Sequence, residues 1–99
     1  MSAIEEVQQQ LLPLVDAMID QLMDDGDAQS AGWFVGVRRG LLATASEEDL
    51  IFLFMEQLGP TGPMAQAAGF SAPARLRLDR LLASAEQVAF AFSAGGAPH

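Results

Sequence analysis

The chain has 99 residues, with thirteen acidic side chains against five basic ones, a formal charge of -8 and no cysteine. That length makes one domain, near the lower end of what forms a core without disulfides or metal, and the missing cysteine excludes a disulfide framework. The acidic balance lacks the positive surface that nucleic acid or an anionic membrane requires, so neither is expected as a partner.

In chain order, Ser2-Ala3-Ile4-Glu5 fits a capping box, a serine with a glutamate three residues on, which satisfies free amides at a helix start. At about 100° per residue, Ile4, Val7, Leu11, Leu14, Val15, Met18, Ile19 and Leu22 share one arc. Glu6, Gln9, Asp16, Asp20 and Asp24 share the other, which predicts an amphipathic helix over 3–25. Pro13 lies inside it on the polar side; it removes one amide bond and disfavours a helix by about 3 kcal/mol, so a kink or a break into two helices is expected. Gly26 ends the segment.

Ser30 or Asp27 can cap a second element over 30–45, which contains Gly32, Gly36 and Gly40. As a helix it places Trp33, Phe34, Val37 and Leu41 on one arc with the glycines along the adjoining flank; as a strand it alternates Trp33, Val35 and Val37, with Arg39-Gly40 as a turn. Helix is preferred because no second convincing strand exists to pair with it. Each interior glycine costs a helix about 1 kcal/mol relative to alanine, so something must offset three of them. Small residues at i, i+4 and i+8 form a shallow groove that another helix can approach closely. The expected neighbour is the first or the last helix, or a second copy of the chain; in the strand reading Gly36 and Gly40 serve a bulge or turn.

Ser46 followed by Glu47, Glu48 and Asp49 opens the next helix, 47–58. It is apolar all round: Leu50, Ile51, Phe54, Met55 and Leu58 form one arc, while Phe52 and Leu53 point elsewhere. Such a helix is central or shared with a partner. Gly59-Pro60-Thr61-Gly62-Pro63 predicts a turn, and 64–69 a short helical turn. Ser71 and Pro73 open the last helix, 72–93, in which Leu78, Leu81, Leu82, Ala85, Val88, Ala89 and Phe92 face one way. Leu76, Ala83 and Phe90, seven residues apart, form a thin stripe behind. Residues 94–99 read as a flexible tail behind a single domain, 1–93. The expected fold is all-α, a compact bundle of four main helices plus a short helical turn.

Chemistry is sparse. His99 is terminal and the only histidine, so neither a zinc site nor a serine triad assembles, and no catalysis, metal or cofactor is expected. The glycines lack both the spacing and the Lys-Ser/Thr of a phosphate loop. Counting a calcium loop from Asp25 puts Ser30 where the sharp-turn glycine belongs and Gly36 where the bidentate glutamate belongs. The row Asp16, Asp20, Asp24 therefore reads as a solvated face, with Arg75, Arg77, Arg80 or a partner's basic residues as counter-charges. Arg38 and Arg39 diverge around the helix and are expected to pair with acidic neighbours. Size, acidity and a short multi-helix pattern resemble acyl carrier proteins, but Ser30 follows Gln29 and Ser46 follows Ala45, so the Asp-Ser-Leu attachment motif is missing and no activity carries over.

Neither a signal peptide nor a membrane span is visible, and a cytoplasmic protein is expected. What remains is apolar surplus: 51% of residues are hydrophobic, more than one small core hides. The expectation is a non-enzymatic protein-protein interaction module, an adaptor, regulator or small accessory subunit that self-associates as a homodimer or binds another protein. Candidate contact residues are Gly32, Trp33, Gly36, Arg39, Gly40, Phe52, Leu53 and Phe90. Two alternatives stand beside it. One is a binder of a small apolar ligand or acyl chain between the third and last helices; the other is an acidic nucleic-acid mimic that occupies a basic partner.

Overall fold

The computed structural model describes the backbone of residues 3–96 and the side chains of residues 3–91. Helix follows helix: α1 (Ala3–Asp24), α2 (Ala28–Ala43), α3 (Glu47–Leu53) continued by a π-helical segment (Phe54–Leu58), α4 (Thr61–Ala68) and α5 (Ala72–Gly96). The fold is an all-α bundle measuring 47 × 20 × 18 Å, without strand among the described residues. Ser2 of the expected capping box, and the part of the expected tail at 97–99, lie outside the described residues. α5 itself continues to Gly96, three residues past its expected end.

α1 is the central element, because both α2 and α5 pack along it. Val7, Leu11, Val15, Met18 and Leu22 are all buried, at the three- and four-residue spacing that keeps one helix face inward. The helix runs unbroken through Pro13, so the expected break into two helices does not occur. Pro13 is exposed, as is Gln9, whose carbonyl loses its helical partner there; an unpaired carbonyl is costly only when buried away from solvent, and buried side chains on both sides of the proline fix the two halves together.

Polar ties give the topology. Gln8 Nε2 donates to the Leu41 carbonyl at 2.9 Å, and Arg38 pairs with Asp16 at 2.8 Å, so α2 runs antiparallel to α1. Gln10 Nε2 donates to Ser84 Oγ at 3.2 Å, Arg77 donates to Gln21 Oε1 at 3.1 Å and Ser71 donates to Asp25 at 2.6 Å, so α5 is antiparallel to α1 as well. α3, the π segment and α4 form a strap that runs back along α2. The Arg38–Asp16 pair is half exposed and contributes little. Among the described residues Arg38 alone reaches the aspartate row; Arg77 bonds Gln21 and Arg75 the Phe70 carbonyl instead.

Gly26, at φ 78, takes the left-handed conformation that stops α1. Asp27 then caps α2 by accepting the Ser30 amide at 3.1 Å. Hydrogen bonds from Ser30 hold the Asp27 carboxyl below its ordinary range. A carboxylate with a lowered folded pKa stabilises fully above the ordinary aspartate value of about 3.9, and loses that contribution as pH falls through the lowered value. The melting temperature of Asp27→Ser, which caps without charge, should therefore fall less steeply than wild type between neutral and strongly acid pH. Parallel melting curves from the two proteins would contradict this.

The strap departs most from expectation. Leu50, Leu53 and Leu58 are buried, whereas Ile51 and Met55, expected on the core arc, are 57% and 69% exposed. Leu53, expected to point away from the core, is 3% exposed and belongs to it. The wide turn is responsible. The Gly59 amide donates to the Phe54 carbonyl at 2.8 Å, an i to i+5 bond that takes up one extra residue. In an unbroken α-helix Leu58 would stand about 80° from Leu50; the extra residue turns it back by about 100° and onto the face of Leu50 and Leu53.

The expected turn at 59–63 is also corrected. α4 already begins at Thr61, with Pro60 as cap and Pro63 in the first turn, where a missing amide costs nothing. Thr61 is fully buried and its hydroxyl donates to the Leu58 carbonyl at 2.6 Å, tying the π segment to α4. Gly69, at φ 66, ends α4, and Ser71 Oγ accepts the Ala74 amide at 3.2 Å to open α5. On α5, Ala74, Leu78, Leu81, Ala85 and Val88 are buried while Leu76, Ala83 and Phe90 stand away from the core on the opposite side.

Candidate interaction surface

The α2 helix divides its side chains sharply. Phe34, Val37 and Leu41 are at most 1% exposed against α1, and the opposite face carries Gly32, Val35, Arg39 and Ala43 in the open. Gly40 sits on the flank that meets the strap: a Cβ there would lie 2.9 Å from Leu53 Cδ1 and 3.1 Å from Gln57 Oε1. The close approach expected of the glycines therefore occurs at Gly40, but the neighbour is α3 and the π segment, not α1 or α5. Gly32 and Gly36 have nothing within 4 Å of a built Cβ, so no internal contact offsets their cost to the helix.

Trp33 clamps the same junction from the other end. Its indole Nε1 donates to the Gln57 carbonyl at 3.0 Å while the ring stays 39% exposed. On the side of Gly40 away from Trp33, α2 and the strap leave a shallow groove of about 220 Å³, lined by Gly40, Ala43, Thr44, Asp49, Phe52, Leu53 and Gln57. Gln57 Oε1 is out of solvent contact and without a hydrogen-bond partner. Phe52 rises beside the groove at 63% exposure, with Ile51 and Met55 on the helix flank behind it. The result is a knob of three large apolar side chains next to a hole floored by glycine and leucine.

Charge on the strap is one-sided. No basic residue occurs between Arg39 and Arg75, and exposed Glu48 and Glu56 stand one turn before and after Phe52. Arg39 is exposed on the outer face of α2, one turn before Ala43, and makes no hydrogen bond or ion pair among the described residues.

Of the residues singled out by sequence, the structure gathers Gly40, Phe52 and Leu53 at one groove, with Leu53 buried in its floor, while Arg39, next to Gly40 in the chain, is exposed on the outer face of α2. Gly36 lies one turn before Gly40, and Trp33 holds the far end of the junction. Phe90, at 76% exposure, stands on the outer face of α5, a separate site. Ala43, Ile51, Met55 and Gln57 are additions that sequence reasoning misses. Ile51 and Met55 escape it because an uninterrupted helical period assigns them to the core; nothing in the local sequence announces the wide turn.

Other hollows lie among the described residues. A groove of about 300 Å³ separates Phe54, Leu58, Gly59 and Gly62 of the strap from Leu82, Ala85, Glu86 and Ala89 of α5. A wider cleft of about 790 Å³ lies between the α1–α2 and α4–α5 turns, and the carboxylate of Asp25 in its wall is already bonded to Ser71. No group of histidine, cysteine and carboxylate side chains suited to a metal ion is found among the described residues, and no described helix is long and apolar enough to cross a membrane. The chain matches no family model, no curated protein and no solved structure.

Proposed function

We propose that this chain is a non-enzymatic protein-interaction module, an adaptor, regulator or small accessory subunit, that self-associates through the apolar surface of α3 and the π segment. One observation carries the reading: Ile51, Phe52 and Met55, large and contiguous on two helical turns, are each more than half exposed although the core behind them is filled. Fully burying such a side chain contributes about 1.5–3 kcal/mol, so the remaining exposure of the three is worth about 3–6 kcal/mol per copy. Pairing two copies doubles that to about 6–12 kcal/mol, comparable with the roughly 4–15 kcal/mol cost of immobilising two molecules. The expected association is therefore reversible and concentration-dependent. Sedimentation equilibrium should show dimer at tens of micromolar; a sole monomer there and at tenfold higher concentration would contradict self-association.

A second reading rests on the groove between the strap and α5. Its walls are apolar apart from Glu86, and about 300 Å³ is the lower end of small-ligand sites. An acyl chain or similar molecule bound there would be recovered by mass spectrometry of natively purified protein after extraction.

A further inference from the structure

Self-association needs a surface that complements itself, and the face described above has the parts. A two-fold pair buries the same patch on both copies, with each contact occurring twice. Such a patch must hold both a projection and its receptor. Phe52 is 63% exposed and projects directly beside a groove of about 220 Å³ floored by Gly40 and Leu53, a volume that admits an aromatic side chain. The patch must also hold both signs of charge. Arg39, on the α2 side, is without a partner among the described residues, and Glu48 and Glu56, on the strap side, flank the projecting ring. Within one copy Arg39 and these glutamates make no pair, so the cation and the anions are both open to a neighbour. Gly36 and Ala43 keep the part of α2 next to the groove low, since nothing lies within 4 Å of a Cβ built at Gly36 and Ala43 lines the groove itself.

Resting on the reading of self-association, we propose that the partner is a second copy related by a two-fold axis, with Phe52 of each copy seated in the α2–α3 groove of the other and Arg39 of each set against Glu48 and Glu56 of the other. The alternative occupant, a basic helix of another protein, would meet the glutamates but would leave Arg39 facing like charge. Two-fold pairing answers both. Phe52 is the central anchor and the ion pairs form the rim, the arrangement in which an aromatic dominates affinity and charges set register.

The test uses the intact chain and four proteins: wild type, Phe52→Glu, Arg39→Glu, and the double variant Glu48→Arg with Glu56→Arg. All substituted side chains are exposed, and circular dichroism checks that each variant keeps its helix content. Phe52→Glu is expected to weaken dimerisation by at least about tenfold. Arg39→Glu alone sets acid against acid, and the double variant alone sets base against base, so each should be more monomeric than wild type. Mixed in equal amounts, those two should form a heterodimer. The glutamate introduced at position 39 of one chain then meets the introduced arginines of the other, whose native Arg39 meets native Glu48 and Glu56 in return. Recovery on mixing supports the cross-copy contact. A dimer that survives Phe52→Glu and is unmoved by either charge variant overturns this arrangement while leaving self-association standing. Wild-type monomer at every concentration overturns both.

Discussion

Phe34→Ala is expected to lower the unfolding free energy by about 3–5 kcal/mol, the usual cost of emptying an aromatic site in a packed core. Phe34 is 0% exposed and lies at the middle of the α2 face that packs on α1, between Ala31 and Val37. Small domains have about 5–15 kcal/mol in total, so the variant would be marginal at physiological temperature. Urea titration should show an earlier midpoint with the slope nearly unchanged. Its neighbour Trp33 is the control. Trp33→Ala removes a larger side chain but one that is 39% exposed, together with a single hydrogen bond to the Gln57 carbonyl, so its cost should be the smaller of the two. The reverse order would mean that α2 is rotated about its axis, with the tryptophan and not the phenylalanine inward.

That contrast shows what local sequence carries and what it does not. The inward arcs of α1 and α5 are legible because each repeats over several turns: five positions on α1 and five on α5 are buried at helical spacing, while on α2 Phe34, Val37 and Leu41 go inward as expected but Trp33, placed on the same arc, stays 39% exposed. The stop at Gly26 and the caps Ser46 and Ser71 are legible because one residue type performs a local backbone task, whereas the sequence leaves Asp27 and Ser30 as alternatives for the cap of α2, which the structure assigns to Asp27. α3 is too short for periodicity to settle its orientation. With apolar residues on every side, only its tertiary neighbours decide that Leu53 goes in and Ile51 stays out. The start of α4 is hidden by residues with two meanings, because proline marks a turn and also suits the first turn of a helix. The partner of the glycine flank is a question of which helix lies alongside, and here it is the strap, reached through a wide turn that no spacing rule foresees. As for the candidate surface, Phe52 and Arg39 are visible in the sequence but the hole beside them is not, since it exists only once α2 and α3 are packed.

The position of Phe52 depends on the junction between the π segment and α4, and that junction yields the second large effect. Gly59 has an ordinary backbone conformation, φ -54 and ψ -45, yet a Cβ there would fall 2.7 Å from the Met55 carbonyl oxygen. The obstacle is main chain, so Gly59→Ala must displace the wide turn itself, at an expected cost of about 1–3 kcal/mol for overpacking. Two residues later, Thr61→Val preserves shape but strips the Leu58 carbonyl of the hydroxyl that donates to it at 2.6 Å. A buried acceptor left alone costs about 1–3 kcal/mol. Thr61→Ser retains the donor and should keep the hydrogen-bond part of that stability, losing only the methyl packing, which separates hydrogen bonding from volume. Thermal unfolding of the three variants would measure these costs. Because Gly59→Ala moves the backbone that orients Leu58 while Thr61→Val leaves it in place, only the former should also weaken self-association in proteins that remain folded. An equal loss of association in both would mean that the surface answers to stability alone and not to the geometry of the wide turn.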